Sequence, residues 1–325
     1  MTDTAQPFPP IEPFDRGMLD VGDGQLVHWE TSGNPAGKPA VLLHGGPGSG
    51  STPWPRRLFD PEAYLIVQFD QRGAGRSTPS AADPATDLSA NTTHHLIADM
   101  EQLRAHLGIR RWLVWGMSWG VTLGLAYAER YPERVSEMIL PSVTMTRPAE
   151  VHWLYHEAGR FFPEQWRRFR EGVPAAERDG DLVAAYYRLL NESADTAVRE
   201  RAARDWCTWE DEVLSNEEGW RPNPRYDDPA FRMTFARIVT HYFHHGAWLA
   251  DGQILRDAHR LAGIPGVLIH GRFDLGGPAD TAWQLAEAWP DAELHLVGTG
   301  HAGGWEMTAR ILAASQRFAR TDLAG

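Results

Sequence analysis

Short apolar runs alternate with amphipathic stretches through the first 140 residues. Leu26–Glu30 reads as an early strand closed by the turn-like Ser32-Gly-Asn-Pro35. Val41–Leu43 and Tyr64–Phe69 are near-continuous apolar runs, the pattern of strands buried on both faces. Between Thr92 and Leu107, the apolar residues Leu96, Met100, Leu103 and Leu107 recur at helical spacing. Thr92 and Thr93 offer capping oxygens at the start of that helix, and Gly108 fits its end. Trp112–Trp115 is the next predicted strand, followed by a helix over 118–130 that Pro132 cannot continue. Glu137–Leu140 predicts one more strand.

From Pro141 to about Arg256 the texture becomes helical, charged and Trp-rich, without convincing buried strands. The strand–helix alternation resumes at Gly266–His270 and Glu293–Val297. The pattern predicts one α/β core with a mostly parallel sheet flanked by helices. Residues 1–140 supply its first part, 141–256 form an inserted helical cap domain, and 257–325 complete the core.

Composition narrows the function classes. At 325 residues the chain can bury a sizeable core without disulfides or metals. Its 31 Lys+Arg against 43 Asp+Glu leave a net charge of −12, which argues against a nucleic-acid partner. The single cysteine, Cys207, closes no intramolecular disulfide, so no oxidising compartment is implied. No apolar stretch approaches the length of a membrane span, and residues 1–14 lack the pattern of a secretory signal. A cytoplasmic protein is the resulting expectation. The 14 tryptophans are many for this length and read either as core filler or as aromatic lining of a pocket.

Gly116-Met-Ser118-Trp-Gly120 is a G-x-S-x-G motif lying between a predicted strand and a predicted helix, the context that a nucleophilic serine on a tight turn requires. Such a serine needs a base, and the base needs an orienting acid. In this architecture acid and base follow late strands in the order Ser, acid, His. Asp274, in Gly271-Arg-Phe-Asp274, and His301, in Gly298-Thr-Gly-His301, fall at those places. His44-Gly-Gly-Pro-Gly48 follows an early strand and matches a loop that supplies an oxyanion-hole donor. The N–H groups of Gly46 and Trp119 are the expected donors, with His44 holding the loop.

With those residues in place, the chain resembles the proline iminopeptidases (prolyl aminopeptidases) of the α/β-hydrolase fold, nearly end to end. The resemblance rests on His44-Gly-Gly-Pro-Gly48, Asp70-Gln-Arg-Gly-Ala-Gly-Arg-Ser77, Ser118-Trp-Gly120, Trp206-Cys-Thr-Trp-Glu210, His241-Tyr-Phe243 and Gly271-Arg-Phe-Asp274. It implies a helical cap over the site and a short peptide substrate with a free N-terminal residue, usually proline. It also implies that Ser118, His301 and Asp274 act through an acyl-enzyme, with no metal or other cofactor. Glu210 matches a family glutamate that binds the substrate amine, and Phe243 is retained from the family's pocket.

Three departures bear on the substrate. Val239 stands where the family carries its second amine-binding glutamate, Thr144 where it carries a phenylalanine, and Gly277 where many members carry a cysteine. Val239 and Thr144 motivate a second expectation, a diverged hydrolase acting on a neutral amide, an ester or a secondary metabolite, and Gly277 implies no thiol sensitivity at that position. His241, His244 and His245 invite a zinc reading through their helical spacing, but no H-E-x-x-H accompanies them. Asp70-Gln-Arg-Gly73, at a strand end, is expected to brace the oxyanion loop.

Overall fold

The apolar runs assemble into one eight-stranded sheet in the computed structural model, which describes residues 6–215 and 219–321. In chain order the strands are β1 (Asp15–Asp20), β2 (Leu26–Gly33), β3 (Lys38–Leu43), β4 (Tyr64–Phe69), β5 (Trp112–Gly116), β6 (Val135–Pro141), β7 (Gly266–Gly271) and β8 (Ala292–Val297). Their spatial order is β1-β2-β4-β3-β5-β6-β7-β8. The β1–β2 and β2–β4 pairs are antiparallel and the remainder parallel. β5, β6 and β7 are buried along their whole length, which is why their apolar runs are unbroken. β1 is not among the predicted strands. It is an edge strand with mostly exposed residues, so no apolar pattern announces it.

The helices are α1 (Thr93–His106), α2 (Trp119–Arg130), α3 (Pro148–Tyr155), α4 (Pro163–Glu171), α5 (Leu182–Tyr187), α6 (Thr196–Val213), α7 (Pro229–His244), α8 (Gln253–Asp257), α9 (Ala279–Ala288) and α10 (Gly304–Ala319). The Thr92 side chain caps α1 by accepting from the His95 N–H, and Gly108 takes φ 66° just beyond its end. One sheet face packs on α1, α2 and α9 through Leu96, Met100, Leu123, Leu125 and Leu285. The other packs on α10 through Met307, Ile311, Leu312 and Phe318.

Between β6 and β7 the described residues contain helices and no strand. This helical segment has its own apolar centre, built largely of rings. Phe169 stacks on Tyr186, and Tyr155 packs on Trp206, each pair with centroids 4.5 Å apart. Such pairs contribute roughly 0.5–1.5 kcal/mol beyond their burial. Polar clips fasten the segment to the sheet side. Arg237 donates to the carbonyls of Ala81 and Asp83 at 2.8 and 2.6 Å, and the Tyr242 hydroxyl to Asn91 Oδ1 at 2.8 Å. The Trp153 indole donates to the Leu275 carbonyl at 3.0 Å. The segment and the loops at the carboxyl ends of β3, β5 and β6 thereby enclose a cavity of about 450 Å³.

Candidate active site

Ser118 stands between β5 and α2 with φ 57° and ψ −125°. A serine in such a conformation stores about 1–3 kcal/mol, so the surroundings must hold it there. They do so by close backbone approach. A Cβ on Gly116 would lie 2.1 Å from the Gly120 carbonyl oxygen, and one on Gly120 would lie 2.5 Å from that of Leu43. Both outer positions of the motif therefore admit only glycine. The turn pushes Ser118 into the cavity, at the amino end of α2.

Asp274 and His301 come from the loops that follow β7 and β8. His301 Nδ1 lies 2.8 Å from Asp274 Oδ2. The other carboxylate oxygen accepts from the N–H groups of Gly276 and Gly277 at 2.7 and 3.0 Å. Asp274 is buried, so these donors replace the water it gives up. Position 276 must be small, because a Cβ there would lie 3.0 Å from His301 Nδ1. Sequence reasoning passed over two supports. His270 accepts from the Val143 N–H at 3.0 Å and donates Nε2–H to the Gly277 carbonyl at 2.9 Å, tying two site loops together. The Ser142 hydroxyl donates to the His301 carbonyl at 2.6 Å. Ser118 and His301 line the same cavity.

The loop carrying Gly46 is held by Asp70 and Gln71, as the sequence reading expects. Asp70 accepts from the Ser51 N–H and hydroxyl at 2.7 and 2.6 Å and from Arg76 Nε at 2.8 Å. Burial opposes its ionisation, but hydrogen bonds from Arg76 and Ser51 prevail and hold the carboxyl at about 2. The Gln71 N–H donates to His44 Nε2 at 3.0 Å, so His44 carries its proton on Nδ1 and is neutral. Burial lowers the pKa of that ring in the same sense. The Gln71 side chain donates to the His44 carbonyl at 2.9 Å and accepts from the Trp119 indole at 2.9 Å, joining the two donor-bearing segments. Among the described residues the Gly46 N–H has no hydrogen-bond acceptor. Trp119 opens α2, where a backbone N–H has no partner within the helix.

The opposite wall belongs to the helical segment. Glu210, from α6, faces the cavity and accepts from the Tyr155 hydroxyl at 2.5 Å. Burial pushes its carboxyl up to about 7, although Tyr155 and His301 both favour the charged form. Tyr155 is 55 residues away in the chain, and nothing in the sequence marks it as the partner. Thr144 and Phe243 also line the cavity. Val239 does not. It is fully buried in the ring-rich centre of the helical segment, one turn from the cavity-lining Phe235 and Phe243. The structure thus places Val239 in the packing of the helical segment rather than on the cavity wall. Gly277 adjoins Thr144, since a Cβ at 277 would lie 3.6 Å from Thr144 Cγ2. Two of the three departures from the family pattern thus meet at one spot.

Among the described residues, the other candidate carboxylates are engaged elsewhere or lie off the cavity wall. Glu150 reaches the cavity, but it accepts from Arg147 Nε at 2.6 Å and the Met145 N–H at 2.8 Å. Glu157 pairs with Arg160 at 2.9 Å, and neither it nor Glu212 lines the cavity. The histidines of α7 and its end are engaged locally. His241 Nε2 lies 3.1 Å from the Asn91 carbonyl, His244 stacks on Tyr187 at 4.3 Å, and His245 stacks on Trp248 at 5.0 Å.

Residues 38–307 match the family model described as the alpha/beta hydrolase fold. The chain is 54% identical to a probable proline iminopeptidase of Streptomyces coelicolor, over 96% of this chain and 98% of that protein. It is 46% identical to the proline iminopeptidase of Xylella fastidiosa, over 91% and 93% of the respective chains. Among solved structures it resembles the proline iminopeptidase of Mycobacterium smegmatis with a TM-score of 0.58 at 20% identity, over 94% of this chain and 97% of that one. That last likeness is one of fold.

Proposed function

The chain belongs to the proline iminopeptidase family of α/β hydrolases, and on that premise we propose that it releases N-terminal proline, or another small residue, from short peptides. The observation that carries the reading is a strained serine and a carboxylate, Ser118 and Glu210, facing each other's space in one cavity.

The geometry supports the following chemistry. Glu210, held by Tyr155, takes the protonated amine and sets the first peptide carbonyl beside Ser118. Ser118 Oγ attacks the carbonyl carbon while its proton passes to His301 Nε2, the nitrogen that Asp274 does not hold. Asp274 fixes the tautomer and stabilises the imidazolium. The N–H groups of Gly46 and Trp119 receive the oxyanion, an interaction for which each donor typically contributes about 10²–10³ in kcat. His301 then protonates the departing amine, leaving a prolyl ester on Ser118. Water, deprotonated by the same imidazole, hydrolyses that ester and frees proline. The helical segment 141–256 acts as a cap that excludes solvent and admits a chain end.

The test compares fluorophore release from proline and alanine amides, N-acetyl-proline amide and a simple acyl ester, with Ser118→Ala as control. Strong preference for free proline over its acetylated form is expected. Equal turnover of the two forms would overturn the peptidase reading. Thr144 and Val239, standing where the family pattern has a phenylalanine and a glutamate, favour a second reading as a hydrolase of neutral amides or esters. Ester turnover with little amide cleavage would select it.

A further inference from the structure

Arg225 lies on the wall of the same cavity, in the short helical turn Pro224–Asp227 that precedes α7. It is half-buried, and burial lowers its pKa, so its charge is held at some expense. Among the described residues no carboxylate lies within ion-pair distance of it; Asp70 influences it only from farther away. Nη2 donates to the Ser49 carbonyl, three residues beyond Gly46, and the guanidinium lies 3.9 Å over the Phe231 ring. These two contacts fix its plane. Nε and Nη1 have no hydrogen-bond partner among the described residues.

The position of Arg225 relative to Glu210 is also fixed. Asp211, next to Glu210, accepts from the Asn223 N–H at 3.0 Å, and Asn223 Oδ1 accepts from the Arg225 N–H at 3.1 Å. The cavity thus has two unlike poles, a carboxylate on α6 and an oriented guanidinium beside the oxyanion loop. They form no ion pair with one another. In a protein with net charge −12, an unpaired cation on a cavity wall is a place for an anion. A guanidinium fork suits a carboxylate in particular.

We propose that Arg225 binds the C-terminal carboxylate of the substrate, so that the enzyme selects peptides of two or three residues with both ends free. This rests on the aminopeptidase reading above and names its substrate class. Glu210 takes the amine and Arg225 the far terminus, so the scissile bond is stretched between two charged anchors over Ser118. Each extra residue adds up to about 3.3–3.6 Å between the termini, so longer peptides lose one contact or the other.

The experiment measures kcat/KM for Pro-Ala, Pro-Ala-amide, Pro-Glu-amide and Pro-Ala-Ala-Ala-Ala with the full-length protein and with Arg225→Gln and Arg225→Lys. The wild type is expected to favour Pro-Ala over Pro-Ala-amide by about ten- to a hundredfold, the range of a charge-assisted contact. Arg225→Gln should bring that ratio close to one, and Arg225→Lys should leave it between the two. A residue that merely tethers the loop through Ser49 would lower both rates and leave the ratio unchanged, overturning the proposal. A wild-type ratio near one would overturn it without any variant. Pro-Glu-amide outrunning Pro-Ala would assign Arg225 to an acidic side chain instead. Failure to cleave any of these peptides, with an acyl ester still hydrolysed, would instead reject the aminopeptidase reading itself.

Discussion

The two walls of the cavity are built by different means. On the sheet side the chemistry is set by backbone: a serine at positive φ, glycines that admit no Cβ, and peptide N–H groups presented by a loop and a helix end. On the side of the helical segment the features are side chains on helices, with Glu210 held by Tyr155 and Phe243 tilted against the Tyr155 ring. The first wall tolerates almost no substitution because each residue answers to a neighbour's main chain. The second tolerates exchange, since a side chain can change while its helix stays. Of the departures from the family pattern, Val239 is packed inside the helical segment, whereas Gly277, in the loop after β7, and Thr144, hydrogen-bonded to Thr122 of α2, lie on the sheet side.

The largest effect should come from the sheet wall. Ser118→Ala is expected to lower kcat by roughly 10⁴- to 10⁶-fold, read by single-turnover kinetics. Ser118→Gly should abolish turnover too, yet raise stability by about 1 kcal/mol in urea unfolding, because glycine accepts φ 57° without strain. Lowered stability in that variant would mean that the turn is not strained. Next in size, Gly120→Ala should destabilise by about 2–4 kcal/mol, since its Cβ would sit 2.5 Å from the Leu43 carbonyl and force α2 away from β3. A neutral result would show that the sheet wall is as permissive as the other.

The smallest effect belongs to the helical wall and sharpens the contrast. Glu210→Gln should cost about 30- to 100-fold in kcat/KM for free-amine amides and little for an acyl ester. Because burial raises the carboxyl to about 7, wild-type Glu210 is neutral below that pH and charged above it. Activity on free-amine substrates should therefore climb through pH 7 and fall again as an ordinary substrate amine loses its proton near about 8. Steady-state pH profiles should lose the part of the rising limb due to Glu210 in Glu210→Gln. An unchanged profile would remove Glu210 from amine binding.

The same contrast explains what could be read from the sequence. Buried parallel strands write themselves as apolar runs, and Tyr64–Phe69 matches its predicted limits. The edge strand Asp15–Asp20 carries no such imprint. The positions of Ser118, Asp274 and His301, in loops after β5, β7 and β8, are legible because the proposed chemistry asks for those residue types after those strands. Tyr155 and Arg225 are not, because each acquires its neighbour, Glu210 or Ser49, only once distant helices and loops pack together. The surroundings of Val239 are equally hidden in the sequence, because its burial in the helical segment follows from the packing of distant helices.

Gln71 gives the sheet wall a further property. One amide side chain links the His44 carbonyl and the Trp119 indole, so the loop after β3 and the start of α2 are joined directly. Its contacts involve nothing from the helical segment. The helical segment reaches the same two stretches by other contacts, through Arg225 on the Ser49 carbonyl and Tyr242 edge-on to Trp119. Side chains of the helical segment can therefore change while this one bridge between the loop after β3 and α2 stays intact.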